Sequence, residues 1–317
     1  VNRERVPDVG GWFRTARDGG VATHGRWGAV AGPFGLVSTD DELRAALDLL
    51  SDGPTMVLSG AGMSTGSGLP DYRGPDAVPR SPMTYDEFVS SDLSRRRYWA
   101  RSTVGWRWFR QAEPGVTHVA LAELGGMLDV VGVVTQNVDG LHTRAGSAPV
   151  VDLHGSLDRV VCLSCGAVTG RERLQEELLA LNPRFAAQLD DLAEEARSAP
   201  DGDAEVDRTE TFRYPDCEVC GGVLKPDVVF FGENVARDVV ARANDLFERA
   251  GSLLVVGTSL TVMSGLRFVR RAAKDGKPVV IVGDGATRGD ELATMRLHGR
   301  LENVLPRWVD WLRELAP

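Results

Sequence analysis

Six short apolar runs constrain the fold of this chain more than any other feature: "TMVLS" (55–59), "VVGVVTQ" (130–136), "PVVDLHG" (149–155), "DVVFFG" (227–232), "SLLVVGTS" (252–259) and "KPVVIVG" (277–283). Each is continuously apolar rather than alternating, the pattern of parallel strands covered on both faces. Helical stretches separate them. The first carries Thr39 and Glu42 at capping-box spacing, and Leu43, Ala46, Leu47 and Leu50 then share one helical face. The sum predicts an α/β fold with a doubly wound, mostly parallel, Rossmann-like sheet.

Two segments break this rhythm and predict a smaller inserted helical and zinc-binding domain. Residues 75–115 are rich in arginine and aromatics ("RRRYWARSTVGWRWFRQ"), and residues 158–223 carry all four cysteines around a polar, acidic stretch. The large domain is then assigned to residues 36–74, 116–157 and 224–317. Residues 1–35, glycine-rich with no sustained apolar period, are expected to be a loosely structured extension.

Charge and hydropathy exclude some function classes. A net charge of −9 argues against a nucleic-acid partner held by phosphate contacts. No apolar run approaches the roughly 20 residues of a membrane span, and no signal-peptide pattern opens the chain. No membrane partner and a cytoplasmic location are therefore expected.

The segment "GAGMSTGSGLPDYRG" (60–74) follows the first predicted strand. Glycines there let backbone N–H groups approach an anionic ligand. It is not the usual dinucleotide fingerprint, because Thr65 stands where the third glycine is required. On these residues alone a tight strand-to-helix turn accounts for Gly60 and Gly62 equally well. Arg73 suits a pyrophosphate, or else a surface ion pair with Asp71.

Cysteines 162, 165, 217 and 220 form two C-x2-C pairs, the spacing of a tetrathiolate zinc site. The 51 residues between Cys165 and Cys217 exceed the loop of a compact zinc ribbon. A redox dithiol and two buried pairs are the lesser alternatives. With four thiolates the coordination sphere is closed, so the zinc is expected to be structural.

Taken in order and spacing, "GAGMSTGSGLPDYRG", "TQNVDGLHTRAG" (135–146), "LHG" (153–155), "KPDVVFFGE" (225–233) and "GTSL" (257–260) resemble the sirtuins, the NAD-dependent protein-lysine deacylases. The resemblance runs from about residue 40 to 310. "RRRYWARSTVGW", "RVVCLSCG" and the long insertion between the cysteine pairs are similar to the class II branch. This implies that Gly60, Ala61, Gly62 and Ser64 cradle the NAD pyrophosphate, and that Pro70, Asp71, Tyr72 and Arg73 close over the nicotinamide ribose. It further implies that Gln136 holds that ribose, that Asn137 orders the site and its water, and that Asp139 binds the carboxamide. Gly257, Thr258 and Ser259 would admit phosphates and the adenosine ribose, with Leu301 also in contact. Where the class II pattern has asparagine this chain has Gly283, so its backbone or Asp284 must substitute.

A capped helix start is the plainer account of Asn137 and Asp139, and an N-cap the plainer account of Thr258 or Ser259. A lone histidine beside a glycine is most often structural, and His142 is read that way. For His154 the resemblance implies a base acting on a ribose hydroxyl, a task suited to an unperturbed pKa of about 6.5. The implied chemistry is attack of an acyl-lysine oxygen on the NAD ribose as nicotinamide departs, then release of amine and O-acyl-ADP-ribose. NAD is consumed as a co-substrate, and the partner is an acylated lysine of a protein.

Val229, Phe230, Phe231, Gly232 and Glu233 resemble the segment on which sirtuins pair an extended peptide. An ordinary buried strand explains Val229 and Phe230 as well. Tyr98 and Arg101 form the Y-x-x-R pair with which another sirtuin branch grips acidic acyl groups. Residues i and i+3 are helix neighbours in any case, and Trp99, Trp106, Trp108 and Phe109 suggest packing. Deacylation is the first reading. Mono-ADP-ribosyl transfer from the same NAD site, or a non-enzymatic NAD- and zinc-binding module, are the alternatives.

Overall fold

The computed structural model describes residues 37–71, 82–195 and 209–315. The extension at 1–35, with Tyr72 and Arg73, lies outside the described residues. Among those described, nine strands run in chain order: β1 Thr55–Ser59, β2 Val130–Thr135, β3 Val150–Asp152, β4 Gly155–Cys162, β5 Val168–Gly170, β6 Leu224–Val228, β7 Ser252–Val256, β8 Val279–Val282 and β9 Met295–Leu297.

Six of them form one sheet in the order β3-β2-β1-β7-β8-β9, every pair parallel. This is the doubly wound arrangement. The chain reverses its direction of travel across the sheet between β1 and β7, and the crevice outside their carboxyl ends is where such sheets bind ligands. β1 and β7 are buried at every position, which is why both read as unbroken apolar runs.

Each face of the sheet is covered by helices. On one side Asp40–Ser51, Val116–Met127 and Leu301–Leu315 bury Leu47, Leu50, Leu124, Leu305 and Trp308 against β1 and β8 residues. Thr39 caps the first of these helices in a capping box with Glu42. Trp308 ties the last to the first, its indole N–H donating to the Leu43 carbonyl at 3.0 Å. On the other side Arg237–Arg249 and Met263–Lys274 contribute Leu246, Phe247, Phe268 and Val269.

A separate three-stranded sheet has the order β5-β4-β6 and is antiparallel. Its core gathers Phe88, Tyr98, Trp99, Leu174 and Leu178 from the two segments that broke the sequence rhythm, with Phe230 from the end of β6. No helix among the described residues is long and apolar enough to cross a membrane.

Two strand expectations need correction. "DVVFFG" does not join the parallel sheet: the strand starts earlier, at Leu224, and pairs antiparallel with β4. Its apolar run is continuous because Val228 and Phe230 pack into the aromatic core instead. Conversely β9, three residues long and only half apolar-buried, has no periodicity a sequence reading can detect.

Candidate functional site

The glycines after β1 and β7 interlock. Gly62 donates to the Gly257 carbonyl at 2.8 Å and Gly60 to that of Val256 at 3.1 Å. A Cβ on Gly257, where φ is +62°, would lie 2.5 Å from the Met63 nitrogen, and one on Gly62 would lie 2.9 Å from the Gly257 Cα. Side chains there would force the two loops apart. Two short 3-10 turns, Ala61–Met63 and Thr65–Ser67, follow β1 instead of the long helix of a standard dinucleotide fold.

The end of β2 threads a polar string through this junction. Asn137 donates from Nδ2 to the Gly60 carbonyl (3.1 Å) and to Ser64 Oγ (3.0 Å), and Ser64 in turn donates to Asp139 Oδ2 at 2.7 Å. The other Asp139 oxygen accepts from the Leu141 amide at 2.9 Å, satisfying a free N–H of the short helix Leu141–Arg144. Gln136 Oε1 accepts from Thr258 Oγ1 at 2.7 Å. Thr258 also accepts from the Leu260 amide, while the next helix begins only at Met263 behind Val262. Neither Thr258 nor Ser259 is therefore that helix's N-cap, which corrects that expectation: both hydroxyls serve the loop, Ser259 bonding Thr261 at 3.0 Å.

His154 lies between β3 and β4, beside this string. Its Nδ1 is 3.0 Å from the Gln136 carbonyl and its Nε2 is 2.7 Å from Ser264 Oγ. A carbonyl only accepts, so Nδ1 carries the proton and the neutral ring keeps its lone pair on Nε2. Burial pushes this imidazole down to about 4, with the Gln136 carbonyl opposing and the Arg267 charge adding to the fall. His154 is thus neutral and able to accept a proton throughout the near-neutral range.

His142 is nearly inaccessible, with Nε2 2.7 Å from Ser59 Oγ and its ring edge-on to His118, centroids 5.0 Å apart. Burial, then the neighbouring His118, drives it down to about 3. It braces the base of the cleft.

The remaining expected residues are distributed around this junction. Ala61, Pro70 and Asp71 are half-buried on the glycine segment. Gly283 follows β8 with open space where a Cβ would sit, next to Asp284, and Leu301 starts the last helix and is buried. The Val229 amide donates to the His154 carbonyl at 2.8 Å, joining the expected peptide-binding segment to the histidine. Phe231 is exposed, its carbonyl accepting from the Tyr85 amide at 3.0 Å. Gly232 turns the chain at φ +84°, and Glu233 folds back to accept from the Phe230 amide (2.8 Å) and to pair with buried Lys225 at 3.1 Å.

Tyr98 is 4% exposed, its ring 5.3 Å from Phe88, 5.2 Å from Trp99 and 5.2 Å from Phe230. Arg101 stands one turn further along the same helix, Asp92–Gln111, and is half-buried.

The four cysteine sulfurs lie within 4.8 Å of one another. Cys162 and Cys220 are separated by 3.5 Å, Cys165 and Cys217 by 3.8 Å, far beyond the roughly 2.05 Å of a disulfide. A tetrahedron with zinc–sulfur bonds of about 2.3 Å has edges of about 3.8 Å, so the donor set and its spacing fit one structural zinc. Backbone N–H groups of Cys165 and Ser164 aimed at Cys162 draw its thiol down, while the neighbouring sulfurs, Cys165 first, push the Cys220 thiol up, so the four ionise together only around a cation.

Sequence reasoning missed His118, Ser264, Gly265 and Arg267. His118 is hidden inside an apolar helix, and "MSGLR" reads as an ordinary helix start. The available signal was the small pair Ser264–Gly265: a Cβ on Gly265 would meet Gln136 Nε2 at 2.7 Å, so this helix is pressed against the site.

A family model described as Sir2 family matches residues 60–264. An NAD-dependent protein deacetylase 1 of Mycobacterium avium is 52% identical over 82% of this chain and 91% of its own length. The NAD-dependent protein deacylase SIR4 of Monosiga brevicollis is 43% identical over 86% and 92%. A solved Sir2 complex with a p53 peptide and NAD+ superposes with a TM-score of 0.67 at 29% identity, covering 86% of this chain and 99% of that one. On fold, four-cysteine cluster and sequence alike, the chain belongs to the Sir2 family.

Proposed function

We propose that this chain is an NAD-dependent protein-lysine deacylase, with deacetylation its main reaction, acting through His154 as the base. The family and the names of its relatives support the activity. One observation carries the role of His154: a neutral ring whose protonated Nδ1 is fixed on a backbone carbonyl, presenting a basic Nε2 beside the switch-point crevice. NAD supplies a positively charged N-glycosidic bond that an acyl-lysine oxygen replaces as nicotinamide leaves.

The chain's own residues do the rest. In the interlocked glycine loops the amides of Gly60, Gly62 and Ser64 are spent on the Val256, Gly257 and Ala61 carbonyls, so these small residues serve the pyrophosphate by keeping bulky side chains out of the crevice rather than by offering those N–H groups, and open space at Gly283 and Gly285 accommodates the adenosine end. Gln136 and Asn137 fix the ribose side of the cleft, with Asp139 oriented by Ser64 toward the carboxamide. Val229 to Glu233 pair with the peptide backbone beside the base. Cys162, Cys165, Cys217 and Cys220 would hold a zinc ion that ties the loop after β4 to the loop before β6.

The edge-on packing of Tyr98 supports a core role for the Y-x-x-R pair, which is why acetyl-lysine is the expected substrate. The long cysteine insertion and the SIR4 relative support the class II branch. Cysteines paired for a metal rather than for disulfides suit a reducing compartment and a cytoplasmic location. ADP-ribosyl transfer to protein is not favoured, since the relatives reported above are named deacetylase or deacylase. The test is to incubate the protein with NAD and an acyl-peptide library, follow nicotinamide and acyl transfer by mass spectrometry, and repeat with His154→Ala. Equal turnover by parent and variant would remove His154 from the chemistry.

A further inference from the structure

The helix Met263–Lys274 begins behind Val262, whose side chain makes no capping bond, and its second residue is Ser264. A serine there ordinarily points to solvent or bonds its own helix backbone. Ser264 does neither. It is 8% exposed, and its hydroxyl lies 2.7 Å from His154 Nε2. Because Nδ1 holds the ring's one proton against the Gln136 carbonyl, Nε2 has only a lone pair, and Ser264 must be the donor.

The basic lone pair of Nε2 is therefore engaged by Ser264. A sugar hydroxyl that is to lose its proton to Nε2 has to take the place of the Ser264 O–H. After the transfer Nε2 bears a proton and the ring a positive charge, and a hydroxyl, unlike a methyl or a carbonyl-free surface, can turn over and accept. Gly265 keeps the helix close to the site, since a Cβ there would stand 2.7 Å from Gln136 Nε2 and push that side-chain amide aside. Arg267, one turn on, places a like charge near the ring, so the imidazolium needs a local acceptor.

We infer that Ser264 is a positioning residue for the base: it holds the His154 ring by its Nε2 lone pair, yields that place to the sugar hydroxyl, and then accepts the new Nε2–H. In the step itself the sugar O–H bond breaks as an Nε2–H bond forms, and the oxygen keeps the bonding pair and turns it on the former amide carbon, so that the positive charge carried there passes to the ring. Ser264 keeps its own proton throughout and changes only from donor to acceptor. The inference rests on the base role of His154.

The experiment separates the two halves of the reaction. Breaking the glycosidic bond needs no base and is read by exchange of labelled nicotinamide into NAD in the presence of acetyl-peptide. Formation of deacetylated peptide needs the base. For Ser264→Ala deacetylation falls about 10-fold, the worth of one hydrogen bond to a charged group, while exchange stays within about two-fold. Ser264→Thr, which keeps the hydroxyl, restores deacetylation to within about three-fold of the parent. Should the alanine variant melt early, Ser264→Cys fills the same space with a weaker hydrogen-bonding group and is read in both assays, with the same selective loss expected.

Parental deacetylation by Ser264→Ala, or a parallel fall of exchange and deacetylation, overturns the inference. His154→Ala, run alongside, tells the two ideas apart. If it keeps full deacetylation the base assignment itself is wrong, whereas a dead His154→Ala with a normal Ser264→Ala removes only the serine.

Discussion

Replacing Gly257 by alanine tests whether the two glycine loops are held together by backbone contact. Gly257 has φ +62°, which costs an ordinary residue about 1–2 kcal/mol. The added methyl would also stand 2.5 Å from the Met63 nitrogen and 2.8 Å from the Gly62 carbonyl carbon. Those neighbours are backbone and cannot rotate aside, so overpacking adds about 1–3 kcal/mol. The total, about 2–5 kcal/mol, is a large part of the stability of a typical domain but short of abolishing it. At about 2 °C per kcal/mol for a domain of this size, Tm falls by roughly 4–10 °C.

The same displacement moves Ser64 and Thr258, so the KM for NAD rises while the zinc content stays constant. Gly68→Ala is the control: φ is again left-handed, at +81°, but nothing lies within 4 Å of the new methyl. It loses only the conformational part, about 1–2 kcal/mol, with no change in KM. Thermal melts and initial rates against NAD concentration read both variants. If Gly257→Ala melts within 1–2 °C of Gly68→Ala and keeps the parental KM, steric interlocking is not what shapes the crevice.

Stripping zinc with a strong chelator, or Cys165→Ser, should release one zinc per chain and sharply lower Tm; loss of metal without change in the melt would contradict a structural ion. His142 and His154 are held neutral by burial, with folded pKa values of about 3 and 4 against about 6.5 in the unfolded chain. Between these limits the unfolded chain binds the extra protons, so stability is complete above about pH 6.5 and declines as pH falls. The buried His142 alone removes about 2 kcal/mol by pH 5. Asp152 and Asp158, raised by burial, act in the opposite sense, so the profile is read on the Asp152→Asn, Asp158→Asn double variant: denaturant midpoints between pH 7 and 5 should still fall, and a flat profile there would refute the assignment. Tyr98→Phe should leave deacetylation of acetyl-peptide within about two-fold, since its ring rather than a ligand contact fills the aromatic core; a selective loss on acidic acyl-peptides would restore the Y-x-x-R reading.

The parallel sheet was legible because burial on both faces writes itself as unbroken apolar runs, as in β1 and β7. β6 misled for the same reason: Val228 and Phe230 are just as apolar, yet they pack with Tyr98 and Phe88, and no local pattern says which core a run enters. The glycines at 60, 62 and 257 were conspicuous, but contact between residues nearly 200 positions apart has no sequence signature. The cysteine pairs were legible through spacing and chemistry. Ser264 and His118 were not, because a serine at a helix start and a histidine amid alanines and leucines gain their meaning only from the groups that folding brings against them.

The central claim is that one cleft couples nicotinamide departure to acyl transfer from lysine. Its most direct measurement is the stoichiometry of a single incubation with NAD and acetyl-peptide, resolved by mass spectrometry. The account predicts one nicotinamide, one deacetylated peptide and one O-acetyl-ADP-ribose for each NAD consumed, with product formation abolished in His154→Ala. Nicotinamide released without acetyl-peptide, with the ADP-ribose retained on protein, would contradict it.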